Sequence, residues 1–186
     1  MVPLTSLVVP ILLAAVIVFI ASAILHMVLP FHRNDVRQLP KETEVQEALR
    51  RFAIPPGNYA LPHPGPSHNM KDPAFLERMK KGPVGLITLR PGGDLGMGKA
   101  LALWFVYCLV VTIFAGYIAG RALGPGAHYL QVFRFAGATA FAGYSLALLQ
   151  DSIWWSRRWA TTWLSMLDGL IYGLLTAGTF GWLWPR

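Results

Sequence analysis

The residue most able to do chemistry in this chain is Asp168, a carboxylate inside the apolar stretch 161–184. An ionised carboxylate at membrane depth costs on the order of 3 kcal/mol on insertion scales, so it must face other helices and find a partner or a proton. Asp168 lies roughly two turns inside its stretch, and His26 sits at similar depth in the apolar stretch 7–29. A contact between Asp168 and His26 is therefore expected, widened by Ser165 or Tyr172. Such a pair can clamp two helices or relay a proton or ion. The clamp asks least of the sequence.

His32 and Asp35 follow closely, and imidazole and carboxylate are suitable metal ligands. The spacing of His26, His32 and Asp35 matches no established ligand pattern, so they are metal candidates by residue type alone. A haem would need a second axial group, and His128 falls at the opposite membrane face. No cofactor is expected. His63 and His68, among prolines and glycines, are expected in solvent.

Arg134 lies in the outer part of the stretch 129–149, too far along the axis to reach Asp168 easily. With Arg121 and His128 it makes an outer basic patch whose segments hold no acidic residue. Snorkelling to lipid phosphate is the default for these cations. A substrate anion or another subunit is the sharper alternative.

Gly93-Asp94-Leu95-Gly96-Met97-Gly98-Lys99-Ala100 has the spacing of a phosphate-binding loop. Ala100 stands where a Ser or Thr hydroxyl would hold magnesium, and an apolar span follows instead of a βαβ unit. A glycine hinge is the expectation.

The elements that would position these residues are four apolar stretches, 7–29, 100–123, 129–149 and 161–184, each long enough to cross a hydrocarbon core of roughly 30 Å. With 54% hydrophobic residues and a mean hydropathy of +0.46, a water-soluble core hiding all four is implausible. No basic residue precedes the first stretch, so despite Ala21-Ser22-Ala23 it is expected to stay as an anchor, with Pro10 in its first turn or so and Pro30 at its end. The lone cysteine, Cys108, lies inside a span and excludes an intramolecular disulfide.

Arg33, Arg37, Lys41, Arg50, Arg51, Lys71, Arg78, Lys80, Lys81, Arg90 and Lys99 crowd the loop after the first stretch, and Arg157 and Arg158 fill the last turn. The loop 31–99 is therefore expected in the cytoplasm, with both termini outside. The formal charge of +7 then points to anionic headgroups and not to nucleic acid. Trp104, Trp154, Trp155, Trp159, Trp163, Trp182 and Trp184 all fall near span ends, as an interfacial belt would.

Within the loop, Thr43-Glu44-Val45-Gln46 has a capping-box pattern, and Val45, Ala48, Leu49 and Phe52 repeat on one helical face. That helix could lie on the membrane or cover the loop's own small core. Pro55, Pro56, Pro62, Pro64 and Pro66 favour an extended strap over 54–66. Asp72-Pro73 opens a second helix, Gly82-Pro83 closes it, and 84–90 reads as one short strand in need of a partner.

The expected fold is an all-α membrane protein: transmembrane helix 1 over 1–30, a cytoplasmic loop over 31–99 with short helices, a Pro-rich strap and one short strand, and a three-helix transmembrane bundle over 100–186. No motif supplies a catalytic constellation. The leading expectation is a non-catalytic accessory or interaction subunit whose partners are the bilayer and other membrane subunits. A small proton- or ion-coupled transporter using Asp168, His26 and Arg134 is the alternative, followed by a histidine-based redox or lipid-modifying enzyme. Gly116-x-x-x-Gly120 and Gly169-x-x-x-Gly173 give small faces that would serve contacts within a bundle or between subunits.

Overall fold

The computed structural model describes residues 1–66, 70–93 and 96–186; His68, Asp94 and Leu95 lie outside the described residues. In chain order the elements are α1 (Val8–Ala23), α2 (Glu42–Arg51), β1 (Gly57–Leu61), α3 (Pro73–Lys81), β2 (Gly85–Leu89), α4 (Met97–Ala122), α5 (Tyr129–Phe141), α6 (Leu148–Trp154) and α7 (Trp159–Trp182). They form two compact units, Met1–Val36 with Gly96–Arg186, and Arg37–Leu95.

In the first unit, three helical segments are long and apolar enough to cross a membrane: Leu4–Val28, Met97–Ala122 and Tyr129–Trp154. The first is α1 flanked by a 3-10 turn, Leu4–Leu7, and a π turn, Ile24–Val28. The third joins α5 to α6 through a second π turn, Ala142–Leu146. The fourth expected span corresponds to α7. It is 24 residues long and carries the buried Asp168, and it is not among those three segments.

The buried face of each helix follows the helical period. Leu7, Ile11, Ala14, Ala15, Val18 and Ser22 line one side of the first segment, and Cys108, Val111, Thr112, Ala115, Gly116, Ala119 and Gly120 line α4. Small and hydroxylated residues face inward, while Val9, Leu12, Ile20, Val106 and Phe114 face outward. Hydrocarbon accepts such an outer face, and close helix approach needs such an inner one.

The glycine faces serve the bundle's own interior. A Cβ at Gly120 would lie 2.6 Å from the Val2 carbonyl oxygen, and one at Gly169 would strike Ser145 Oγ. Backbone hydrogen bonds fasten the same end of the unit: the Val2 N–H donates to Gly120 O at 2.8 Å, and the Gly126 N–H donates to Pro185 O at 2.8 Å. The Trp184 indole adds a bond to Gly124 O at 3.0 Å. Trp184 and Trp104 thus turn inward, unlike the exposed Trp154, Trp155, Trp159, Trp163 and Trp182.

The second unit differs from its sequence expectation at two points. The Pro-rich segment contributes a strand, β1, because its prolines flank 57–61 without interrupting it. β1 pairs antiparallel with β2, Tyr59 opposite Ile87 and Leu61 opposite Gly85, and Thr88 Oγ1 donates to Asn58 Oδ1 across the pair. Helix α2 starts earlier than its capping box implied: Lys41, at φ 55°, is the N-cap and no side-chain cap forms, since Thr43 already lies inside the first turn. Helix α3 has the expected ends, with Asp72 accepting from the Ala74 N–H, Pro73 in the first turn and Gly82 at φ 63° after Lys81.

Candidate functional site

The Leu29–Pro30 bond lays out the site. A residue before proline is pushed out of the helical region, and Leu29 is extended at φ −87° and ψ 145°. The following 3-10 turn, Pro30–His32, brings the His32 ring back against that of His26. The two rings stack with centroids 4.2 Å apart and planes 8° from parallel. Packing of α1 and the Pro30–His32 turn on α7 then sets both imidazoles beside Asp168.

Asp168 Oδ2 lies 2.9 Å from His32 Nε2 and 3.8 Å from His26 Nε2. The Asp168 and His32 side chains are 6% and 10% exposed, so this carboxylate is well removed from solvent, while the His26 side chain stays half exposed. His32 Nε2 and Asp168 Oδ2 make a close buried ion-pair contact without a well-aligned hydrogen bond. The other ring nitrogens are engaged. His32 Nδ1 is 2.7 Å from Asp35 Oδ2, and His26 Nδ1 is 3.1 Å from the Ser22 carbonyl oxygen.

Around this cluster the helices are tied by ordinary polar bonds. Ser22 Oγ donates to Phe19 O at 2.7 Å and accepts from the Trp104 indole at 2.8 Å, joining α1 to α4. Arg158 donates to Asn34 O at 3.4 Å, holding the segment that carries Asp35 against the start of α7. Arg157 donates to Ser165 Oγ at 3.0 Å and lies 3.7 Å from Asp151 Oδ2. Ser165 is therefore occupied elsewhere and does not widen the Asp168 contact. Tyr172, one turn along α7, is buried with an unbonded hydroxyl, and its ring packs against Trp104 and Tyr144.

Of the sequence candidates, His26, His32 and Asp168 come together, their potential ligand atoms all within 4.8 Å of one another. Asp35 sits behind His32, on its other nitrogen, instead of completing a set with the two histidines. Arg134 does not join them: it is exposed on α5, with no ion pair or hydrogen bond among the described residues. Arg121 is exposed as well. His128 acts as the N-cap of α5, its Nδ1 accepting from the Leu130 N–H at 3.2 Å while Gln131 accepts from the His128 N–H. Gly98 and Lys99 lie in the first turn of α4, behind an N-cap Gly96 at φ 61°, while Asp94 and Leu95 of the glycine-rich stretch lie outside the described residues. His63 is exposed and accepts from the Gly65 N–H.

Sequence reasoning missed that His32, and not His26, is the nearest neighbour of Asp168. The available signal was the proline at position 30, which stops the helix and lets the chain double back.

No protein-family model, curated protein or solved structure matches this chain.

Proposed function

We propose that this chain is a four-span protein of the cytoplasmic membrane that works as a non-catalytic interaction subunit of a larger membrane assembly. The observation behind this is the uncovered surface of the Arg37–Leu95 unit. Phe52, Ile54, Leu61, Leu76, Val84 and Leu86 are all exposed, and the two-stranded sheet has two open edges among the described residues. A two-stranded sheet is marginal alone, and open edges accept an added strand. An extended segment of another membrane subunit, bringing main-chain donors and an apolar row, meets both needs.

The topology that goes with this reading has α7 as the fourth span, Asp168 facing its neighbours, the basic unit in the cytoplasm beside anionic headgroups, and both termini outside. Native mass spectrometry of the assembly solubilised in mild detergent tests it. A stoichiometric second protein is expected, released by Phe52→Glu with Leu86→Glu while helical content is unchanged. Isolation as a lone monomer, or a partner that the double variant retains, overturns it.

A second reading, a histidine-based membrane enzyme, draws on the convergence of His26, His32 and Asp168. Turnover by the purified chain without a partner would favour it. The carrier reading draws no comparable support, since Arg134 is exposed away from the Asp168 cluster.

A further inference from the structure

We propose that His26 Nε2, His32 Nε2 and Asp168 Oδ2 bind one divalent first-row transition-metal ion, with Asp35 acting as the positioning residue behind His32. The inference stands apart from the subunit reading and needs only the chain itself.

The ring nitrogens that face away from Asp168 fix the tautomers. A carboxylate or a backbone carbonyl can only accept, so Asp35 Oδ2 and Ser22 O each require an N–H on the Nδ1 they meet, at 2.7 and 3.1 Å. In the neutral tautomer both Nε2 atoms then carry lone pairs, and they lie 2.9 and 3.8 Å from Asp168 Oδ2. Electron pairs 2.9 Å apart in a site shielded from water repel unless positive charge lies between them. A proton on His32 would answer this for one ring alone, whereas a metal ion answers it for both rings and the carboxylate together.

Distances agree. Ligands about 2.0–2.2 Å from a tetrahedral ion stand ~3.3 Å from one another, and the observed 2.9 and 3.8 Å bracket that value. His26 is the exposed member, and binding requires its ring to turn out of the parallel stack with His32 so that both in-plane lone pairs meet one ion. Two imidazoles and a carboxylate suit zinc or ferrous iron over calcium or magnesium, and three protein ligands leave a position for water. The Asp35–His32 bond is the carboxylate–histidine support that orients metal-binding imidazoles.

The full-length chain in detergent, free of any histidine tag, is titrated with Co²⁺ while visible d–d absorption is recorded, and zinc content is measured on the purified protein. The expected result is about one ion per chain, with a visible band that zinc displaces. His32→Ala and His26→Ala should lose the band. Asp35→Asn should keep the stoichiometry with affinity reduced about 10–100-fold. Asp168→Asn tests the carboxylate; should it misfold, the two histidine variants and Asp35→Asn decide the matter. Folded wild-type protein that binds no ion leaves a purely protonic clamp and overturns the proposal. Equal binding by the histidine variants places the ion elsewhere and overturns it too.

Discussion

His26 and His32 stack face to face at 4.2 Å although the chain reverses direction between them. The reversal is short and local, a broken helix followed by a proline turn, but it puts two imidazoles from one segment against a carboxylate from another. The join between α1 and α7 therefore depends on a geometry that neither helix could supply alone.

Trp104 and Ser22 offer the cleanest energetic test of the bundle. Ser22→Ala leaves the indole N–H without its acceptor. The expected loss of stability is about 1 kcal/mol, at the lower end of the range for an orphaned buried donor. Combined with Trp104→Phe, the double variant should lose less than the sum, by about 0.6 kcal/mol, the average for interhelical bonds in membranes. Unfolding by denaturing detergent in mixed micelles measures this cycle, and strictly additive losses would show that the bond contributes nothing.

The same substitution should have opposite signs at two glycines. Gly98 has open space around its Cβ position within the first turn of α4, so Gly98→Ala should stabilise by about 0.5 kcal/mol through helix propensity. Gly169→Ala drives a methyl into Ser145 and should destabilise by roughly 1–3 kcal/mol. Thermal melts of the two variants in one detergent make the comparison. A Gly169→Ala protein as stable as wild type would mean that α7 does not pack on the Ala142–Leu146 turn as described.

Arg134→Ala should change stability by no more than about 0.5 kcal/mol, since the side chain is exposed and makes no bond among the described residues. Reconstituted vesicles should show no loss of any proton or ion flux in this variant. A flux abolished by Arg134→Ala would bring the carrier reading back.

Cys108 is fully buried, which makes the native chain a quiet background for topology mapping. A cysteine at exposed Lys41 should stay unlabelled by an impermeant maleimide in intact cells and react after lysis, whereas one at exposed Gly126 should react in both. Labelling of position 41 from outside would invert the proposed orientation.

Much of this arrangement is legible in the residues because the governing forces are local. Long apolar stretches announce helices whatever packs beside them, and Asp72-Pro73 with Gly82 sets the ends of α3 through capping chemistry confined to one short segment. Strand β1 is hidden because proline density masks a five-residue interval free of proline. The Thr43 capping box is not made because a left-handed Lys41 starts the helix earlier. Equal depth in two apolar stretches sets Asp168 near His26, at 3.8 Å. Nothing periodic could place His32 closer, since that position depends on how a turn folds back on a distant helix.

The inward-facing alanines, glycines and threonines carry a consequence for how this sequence can drift. Leu12, Ile20 and Phe114 turn outward from the bundle, so one bulky aliphatic or aromatic can replace another there with little penalty. Ala14, Ala115 and Ala136 have no room to grow. A saturation scan should therefore be the reverse of that for a water-soluble domain, permissive at the large greasy side chains and strict at the smallest ones.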